Sequence, residues 1–171
     1  MPVCSRRDWF GRSALSPKGP AVAYNFSLAI LPGTAMEEGS ATVGLLGFDE
    51  ILASGRVELA GAQIGPHVVL VDIGFGESAK AYARDLGRQV YVVSFSGVSS
   101  TYVLEAAGVA QRLRVQIDGE VAVEQGAPLP VERELLGHEH DEDAHVAVFE
   151  ALLGAPLRRV FEAHFLELTA A

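Results

Sequence analysis

The chain is poor in several features, and each shortage removes a class of protein. Cysteine occurs once, at Cys4, so no disulfide can close within the chain. That usage fits a reduced, cytosolic protein rather than a small disulfide-stapled secreted domain. The longest apolar runs, such as Val68–Val71, are broken by charge within a few residues. None nears the roughly 18 apolar residues that a membrane-crossing helix needs. The opening Met-Pro-Val-Cys-Ser-Arg-Arg-Asp is followed by no apolar h-region, so no secretory signal is expected. Bases are also scarce, with 13 Lys and Arg against 22 Asp and Glu, a net charge of −9 and a pI of 4.9. Such a balance argues against nucleic acid and anionic membranes as partners, because both are bound through positive charge. No cofactor motif is found. What remains is a chain of 171 residues, 49% apolar, long enough for one domain with a real core.

The charge is not spread evenly. Residues 118–150 hold ten acids (Asp118, Glu120, Glu124, Glu132, Glu134, Glu139, Asp141, Glu142, Asp143, Glu150) against one base, Arg133. That accounts for the whole net charge, and the other residues balance at twelve acids and twelve bases. A one-sided field of this kind steers basic partners, or it is an ordinary solvated face.

Residues 1–20 carry a net charge of +3 and include Gly11, Pro17, Gly19 and Pro20. They read as a poorly ordered basic arm in front of a single domain over residues 21–171. Trp9 and Phe10 could tack this arm onto the body. Tyr24–Leu31 is a compact apolar run stopped by Pro32-Gly33, the pattern of a buried strand. Glu37–Leu46 stays ambiguous, since its two glycines weaken a helix. Ile51–Ala60 reads as two short strands about Ser54-Gly55. His67–Ile73 and Gln89–Phe95 are strong buried strands, β-branched and bounded by turn residues. Between them Ser78–Leu86 reads as a helix, with Ser78 as N-cap and Gly87 at its C-terminus. This unit fits either a βαβ crossover or a helix lying over an antiparallel sheet.

Three strand-like runs follow, Thr101–Ala107, Gln111–Ile117 and Glu120–Glu124. The Asp118-Gly119 pair between the last two is a strong hairpin signal. Over residues 112–117 polar and apolar residues alternate strictly, which places Leu113, Val115, Ile117, Val121 and Val123 toward the core and Arg112, Arg114 and Gln116 toward solvent. Asp141–Leu153 reads as a helix with acids in its first turn, capped by Asp141 or its neighbour, with Gly154 past its end. A short helix over Leu157–Ala163 and a last edge strand over His164–Thr169 complete the reading.

Four constellations carry chemistry. Gly74-Phe75-Gly76-Glu77-Ser78 joins a strand to a helix, as in a phosphate nest, but lacks a third glycine or a P-loop lysine, and Glu77 opposes an anion. A tight strand-to-helix turn accounts for it better. Asp72, Glu77, Ser94, Ser96 and Ser99 gather at the ends of two strands as a candidate polar pocket. Asp72 equally fits a strand-end group that hydrogen-bonds a loop, and the serines a hydroxyl-rich turn. His138, His140 and His145 lie among four carboxylates and are weak zinc or nickel candidates, but their spacing does not share one helix face. The acids Glu139, Asp141, Glu142 and Asp143 are the candidate partner-binding residues.

From Val90 onward the order of features is a strand, Val98-Ser99-Ser100-Thr101-Tyr102, a meander with Arg112 and Arg114, the piece Gly126-Ala127-Pro128-Leu129-Pro130-Val131-Glu132, and an acidic helix ending Leu152-Leu153-Gly154. Over residues 90–165 it resembles small uncharacterised bacterial α+β proteins, some of them similar to immunity proteins of toxin systems. That resemblance implies no catalytic residues.

The expected fold is α+β, a mainly antiparallel sheet with two or three helices packed on one face. The expected function is that of a non-enzymatic cytosolic module binding a basic protein, in its sharpest form immunity to a basic toxin, through the acidic 118–150 surface. The alternative is a small enzyme or small-molecule binder using the pocket at the ends of strands 67–73 and 89–95, and a third reading is metal binding by the histidines.

Overall fold

The computed structural model describes residues 25–36 and 45–168. The basic arm, with Cys4, Trp9 and Phe10, and the ambiguous stretch over 37–44 lie outside the described residues. The fold is α+β, as expected: nine antiparallel-paired strands in one sheet, with helices packed on it. The strands are β1 (Asn25–Leu31), β2 (Leu46–Gly47), β3 (Leu59–Ile64), β4 (His67–Asp72), β5 (Val90–Ser96), β6 (Thr101–Ala107), β7 (Arg112–Ile117), β8 (Glu120–Gln125) and β9 (His164–Glu167), in the order β2-β9-β3-β4-β1-β5-β6-β7-β8. The helices are α1 (Phe48–Ser54), α2 (Glu77–Asp85), α3 (Asp141–Leu153) and α4 (Arg158–Phe161), with a 3-10 helix over Pro130–Leu135. Among the described residues no helix is long and apolar enough to cross a membrane.

The centre of the sheet is apolar on both sides. Phe26, Leu28, Ile30, Val69, Val71, Val93 and Phe95 face α1, α3 and α4, where they meet Phe48, Val148, Phe149 and Val160. Phe26 stacks on Phe95 at 5.4 Å between centroids and meets Phe48 edge-on at 5.7 Å, which ties α1 to the sheet. The alternate residues Ala29, Leu31, Val68, Leu70, Val90 and Val92 face α2 through Ala79 and Ala83. The alanines let α2 lie close, and a β-carbon at Gly76 would come within 2.5 Å of Val92. Three helices therefore share one face, and α2 sits alone on the other. Strands β4 and β5 run parallel to each other because both pair antiparallel with β1 between them, so α2 makes a crossover over an antiparallel strand. The two sequence alternatives for this unit thus combine.

Several local expectations are corrected. Ile51–Ala60 is not two strands: α1 occupies its first half and β3 begins at Leu59. Glu50 makes the helix, because it accepts the Gly47 N–H at 2.6 Å while Asp49 and Glu50 sit at the positive end. The N-cap of α2 is Gly76, not Ser78. Its C-terminus closes as a Schellman turn at Gly87 (φ 63°), with Arg88 N donating to Ala83 O at 2.8 Å. The N-cap of α3 is His140, the neighbour of Asp141, in keeping with the sequence reading, though its side chain makes no capping bond. Strand β9 is not an edge, since β2 lies outside it.

The largest correction concerns the wing formed by β6, β7 and β8. The hairpin turns at Asp118 (φ 49°) and Gly119 (φ 85°), as expected of a type I′ turn. The alternation is also real, but its faces are reversed. Arg112, Arg114 and Gln116 lie on the same face as Tyr102 and Leu104, beneath the 3-10 helix and α3, and Arg112 is only 3% exposed. Leu113, Val115 and Ile117 point to the opposite face, where Ile117 is 40% and Val123 36% exposed.

The inversion has a physical cause. Burying a guanidinium is costly unless it is fully paired. Arg112 donates Nε–H and Nη2–H to the two oxygens of Glu132, each at 2.7 Å, Nη1–H to the carbonyls of Gln125 and Gly126, and a further short bond to Glu124. Arg114 reaches Glu124 at 3.1 Å, and Gln116 donates to Asp141 at 2.7 Å. The layer that covers this face is the acidic segment itself, so polar residues of β7 turn toward it. A register shift makes the match. The hairpin pairs Ile117 with Glu120 and Gln116 with Val121, then Val115 with Val123 and Arg114 with Glu124. The extra residue Ala122 is a β-bulge; without it Arg114 would oppose Val123.

Candidate functional site

The acidic face is assembled from two elements. The β7–β8 turn carries Asp118 and Glu120, and the start of α3 carries Asp141, Glu142 and Asp143, preceded by Glu139. They adjoin each other, since a β-carbon at Gly119 would lie 3.9 Å from Asp141 Oδ2. Of the predicted partner-binding residues, Glu139 is exposed and Asp141, Glu142 and Asp143 are partly exposed. Asp141 is held by Gln116, so it serves the fold as well. Among the described residues the carboxylates of Asp118, Glu120, Glu139, Glu142 and Asp143 accept no hydrogen bond. Other members of the acidic segment are spent internally: Glu124 and Glu132 on Arg112, and Glu150 on the Leu157 N–H at 2.9 Å.

Electrostatics separates these two groups. The Arg112 hydrogen bond holds Glu124 below the usual carboxylate range. Glu132 is also lowered, because hydrogen bonds from Arg112 and the Leu129 N–H outweigh its burial. Glu142 moves the other way: burial pushes its carboxyl up, and Asp143 adds to the shift. Its charged form is therefore disfavoured where it stands, with His140 only partly offsetting the shift.

Behind the acidic turn lies a buried pair. His145 is fully buried, stacks on Tyr102 at 5.1 Å, and places Nδ1 2.7 Å from the Asp141 carbonyl. That contact makes Nδ1 the protonated nitrogen and leaves Nε2 as an acceptor with no partner, as Arg114 Nε is a donor with none. Burial lowers the His145 pKa, so the ring is neutral. Burial and the carboxylates of Glu142, Asp141 and Asp143 push Tyr102 up to about 12. The other histidines do not converge on it: His138 and His140 are exposed. Among the described residues no group of three or more His, Cys, Asp or Glu is placed to hold a metal ion.

The five candidate pocket residues divide. Asp72 is fully buried, and its two oxygens accept from Gly74 N at 2.6 Å and Ala79 N at 2.7 Å. It thereby caps α2 from a neighbouring strand and fills the helix N-terminus with a carboxylate, so the turn is not free for a phosphate. Ser94 is buried and bonds Ser27 at 2.6 Å. Ser96 bonds Ser99 at 2.8 Å, and Ser99 donates to Thr101 at 2.9 Å, so these two do come together. Glu77 points away into a pair with Lys80 at 2.7 Å, and Lys80 also holds Glu105. The hydroxyls and Asp72 are engaged with one another and with backbone.

The sequence reading missed Arg112, Arg114, Tyr102 and Gln116 as members of the acidic layer. The available signal was two arginines on one strand face with Glu124 and Glu132 just downstream; the bulge that aligns them leaves no sequence mark. No family model matches this chain, and no curated protein and no solved structure matches it.

Proposed function

We propose that the protein is a non-enzymatic binding module whose acidic face, around Glu139, Asp141, Glu142 and Asp143, engages a basic protein. The observation that carries this reading is a cluster of exposed and partly exposed carboxylates at the start of α3, with Glu142 partly desolvated, beside a layer in which Glu124, Glu132 and Glu150 are matched within the fold. The Glu142 charge costs stability where it stands, and a carboxylate kept under those conditions fits a role outside the fold. Immunity to a basic toxin, in the cytosol, is the sharpest form of the proposal, in line with the resemblance over residues 90–165. A clustered negative field accelerates encounter with a basic partner and is screened by salt.

The test is capture of partners from the native host, followed by association kinetics at two salt concentrations. Association slows steeply as salt rises, and replacing Glu139, Asp141, Glu142 and Asp143 by neutral isosteres weakens binding while leaving the fold cooperative. A partner whose affinity ignores both salt and the four substitutions overturns the reading.

A further inference from the structure

Among the described residues no helix covers the apolar face of the inverted wing, where Ile117 and Val123 are exposed. Directly opposed residues share a face, so Val103, Val115 and Val123 form one continuous row across β6, β7 and β8. Leu113 and Ile117 flank that row on β7, and Glu120, opposite Ile117, borders it. Helix α2 covers the same side of the sheet over the centre, where Ala79 and Ala83 meet Val90 and Val92, and reaches the wing at Glu105 and Ala107 of β6. Exposed valine and isoleucine on a sheet face need an occupant more than scattered surface apolar residues do.

A second copy is a poor occupant. Each chain carries −9, so two copies would meet against a net repulsion. Lys80, the cation beside this face, is already held by Glu77 and Glu105. The chain's own residues 1–24 have the complementary chemistry: Arg6, Arg7, Arg12 and Lys18 against a single acid, Asp8, with Trp9 and Phe10 adjacent. They also start from the right place. Asn25, the first residue of β1, stands in line with Ser96, Thr101, Ile117 and Glu120 across successive strands. Strands lie about 4.8 Å apart, so Ile117 is roughly 15 Å from Asn25. The fourteen residues between Phe10 and Asn25 reach farther, up to about 45 Å when extended.

We propose that the open face of β6, β7 and β8 is the seat of residues 1–24, with Trp9 and Phe10 on the valine row and the arginines beside Asp118 and Glu120. The proposal does not depend on the acidic face having an external partner.

Trp9 is the only tryptophan, so its fluorescence reads the contact in the full chain without a label. In the native protein its emission lies to the blue of the denatured chain, and acrylamide quenches it several-fold less. Substituting Ile117→Asp and Val123→Asp moves both values most of the way to those of the denatured chain while melting stays cooperative. Arg6→Glu, Arg7→Glu and Arg12→Glu together do the same without touching the sheet, so the test survives a failure of the first variant to fold. A native Trp9 already as accessible as in denaturant overturns the proposal. So does a protection indifferent to both sets of substitutions, or one lost on dilution, which would assign the face to a second copy.

Discussion

In the centre of the sheet, β4, β1 and β5 are apolar on both faces and both faces are covered; in the wing, β7 carries its arginines under the helix layer and its aliphatic residues on the face that no described helix covers. The difference lies in what each helix layer offers. Helices α1, α3 and α4 present Phe48, Val148, Phe149 and Val160 to the centre, so oil meets oil. Over the wing the covering residues are carboxylates, and a strand beneath them is stable only if it brings cations and amides. Side-chain period fixes which residues share a face. It does not fix which face is covered, because that depends on the partner layer.

The strongest way to break this contrast is at Arg112. Replacing it by Met strands Glu132 and two backbone carbonyls beneath the 3-10 helix, and loss of one partner from a buried pair costs about 3–5 kcal/mol. Denaturant unfolding checks this. Replacing Arg112 and Glu132 together by apolar residues recovers much of the loss, since removal of a whole buried pair is far better tolerated than removal of half.

A smaller effect sharpens the comparison by making one substitution in both regions. Val93→Ala in β5, fully buried in the centre, costs about 2 kcal/mol from lost burial and the cavity left behind. Val115→Ala in β7, partly buried on the face that no described helix covers, costs less than that. Equal losses would mean that this face is buried as completely as the centre.

These contrasts explain what could be read from sequence. His67–Ile73 and Gln89–Phe95 were legible because a strand buried on both faces needs only to be apolar and β-branched. The Asp118-Gly119 hairpin was legible because its positive φ angles demand those residues. Helix α3 matched to the residue, marked by acids at its start and Gly154 after its end. The facing of β7 was not legible, since it rests on the Ala122 bulge and on Glu132 arriving from a separate element. Helix α1 was missed because its seven residues are held by tertiary contacts of Phe48 and Ile51 more than by helix propensity. Of the candidate site, the acidic face was visible in composition; its division into paired and unpaired acids required the register.

The smallest effect is on pH dependence, and it separates the two parts of the acidic layer. The folded pKa of His145 lies below its ordinary 6.5, so the unfolded chain binds more protons. Stability therefore falls as pH drops below about 6.5. Glu124 and Glu132 are lowered too, and what they contribute is present above the usual carboxylate range and lost only at lower pH. His145→Phe should flatten the first limb of a plot of melting temperature against pH and leave the second. A first limb unchanged in that variant would show that His145 is not the group responsible.

The inverted wing is tested most directly by a double-mutant cycle between Arg112 and Glu132, with unfolding free energies measured for the parent, Arg112→Met, Glu132→Leu and the double variant. The account predicts a coupling of more than about 1 kcal/mol, because the two groups meet through two hydrogen bonds in a buried layer. A coupling near zero would place Arg112 in solvent and return Leu113, Val115 and Ile117 to the core.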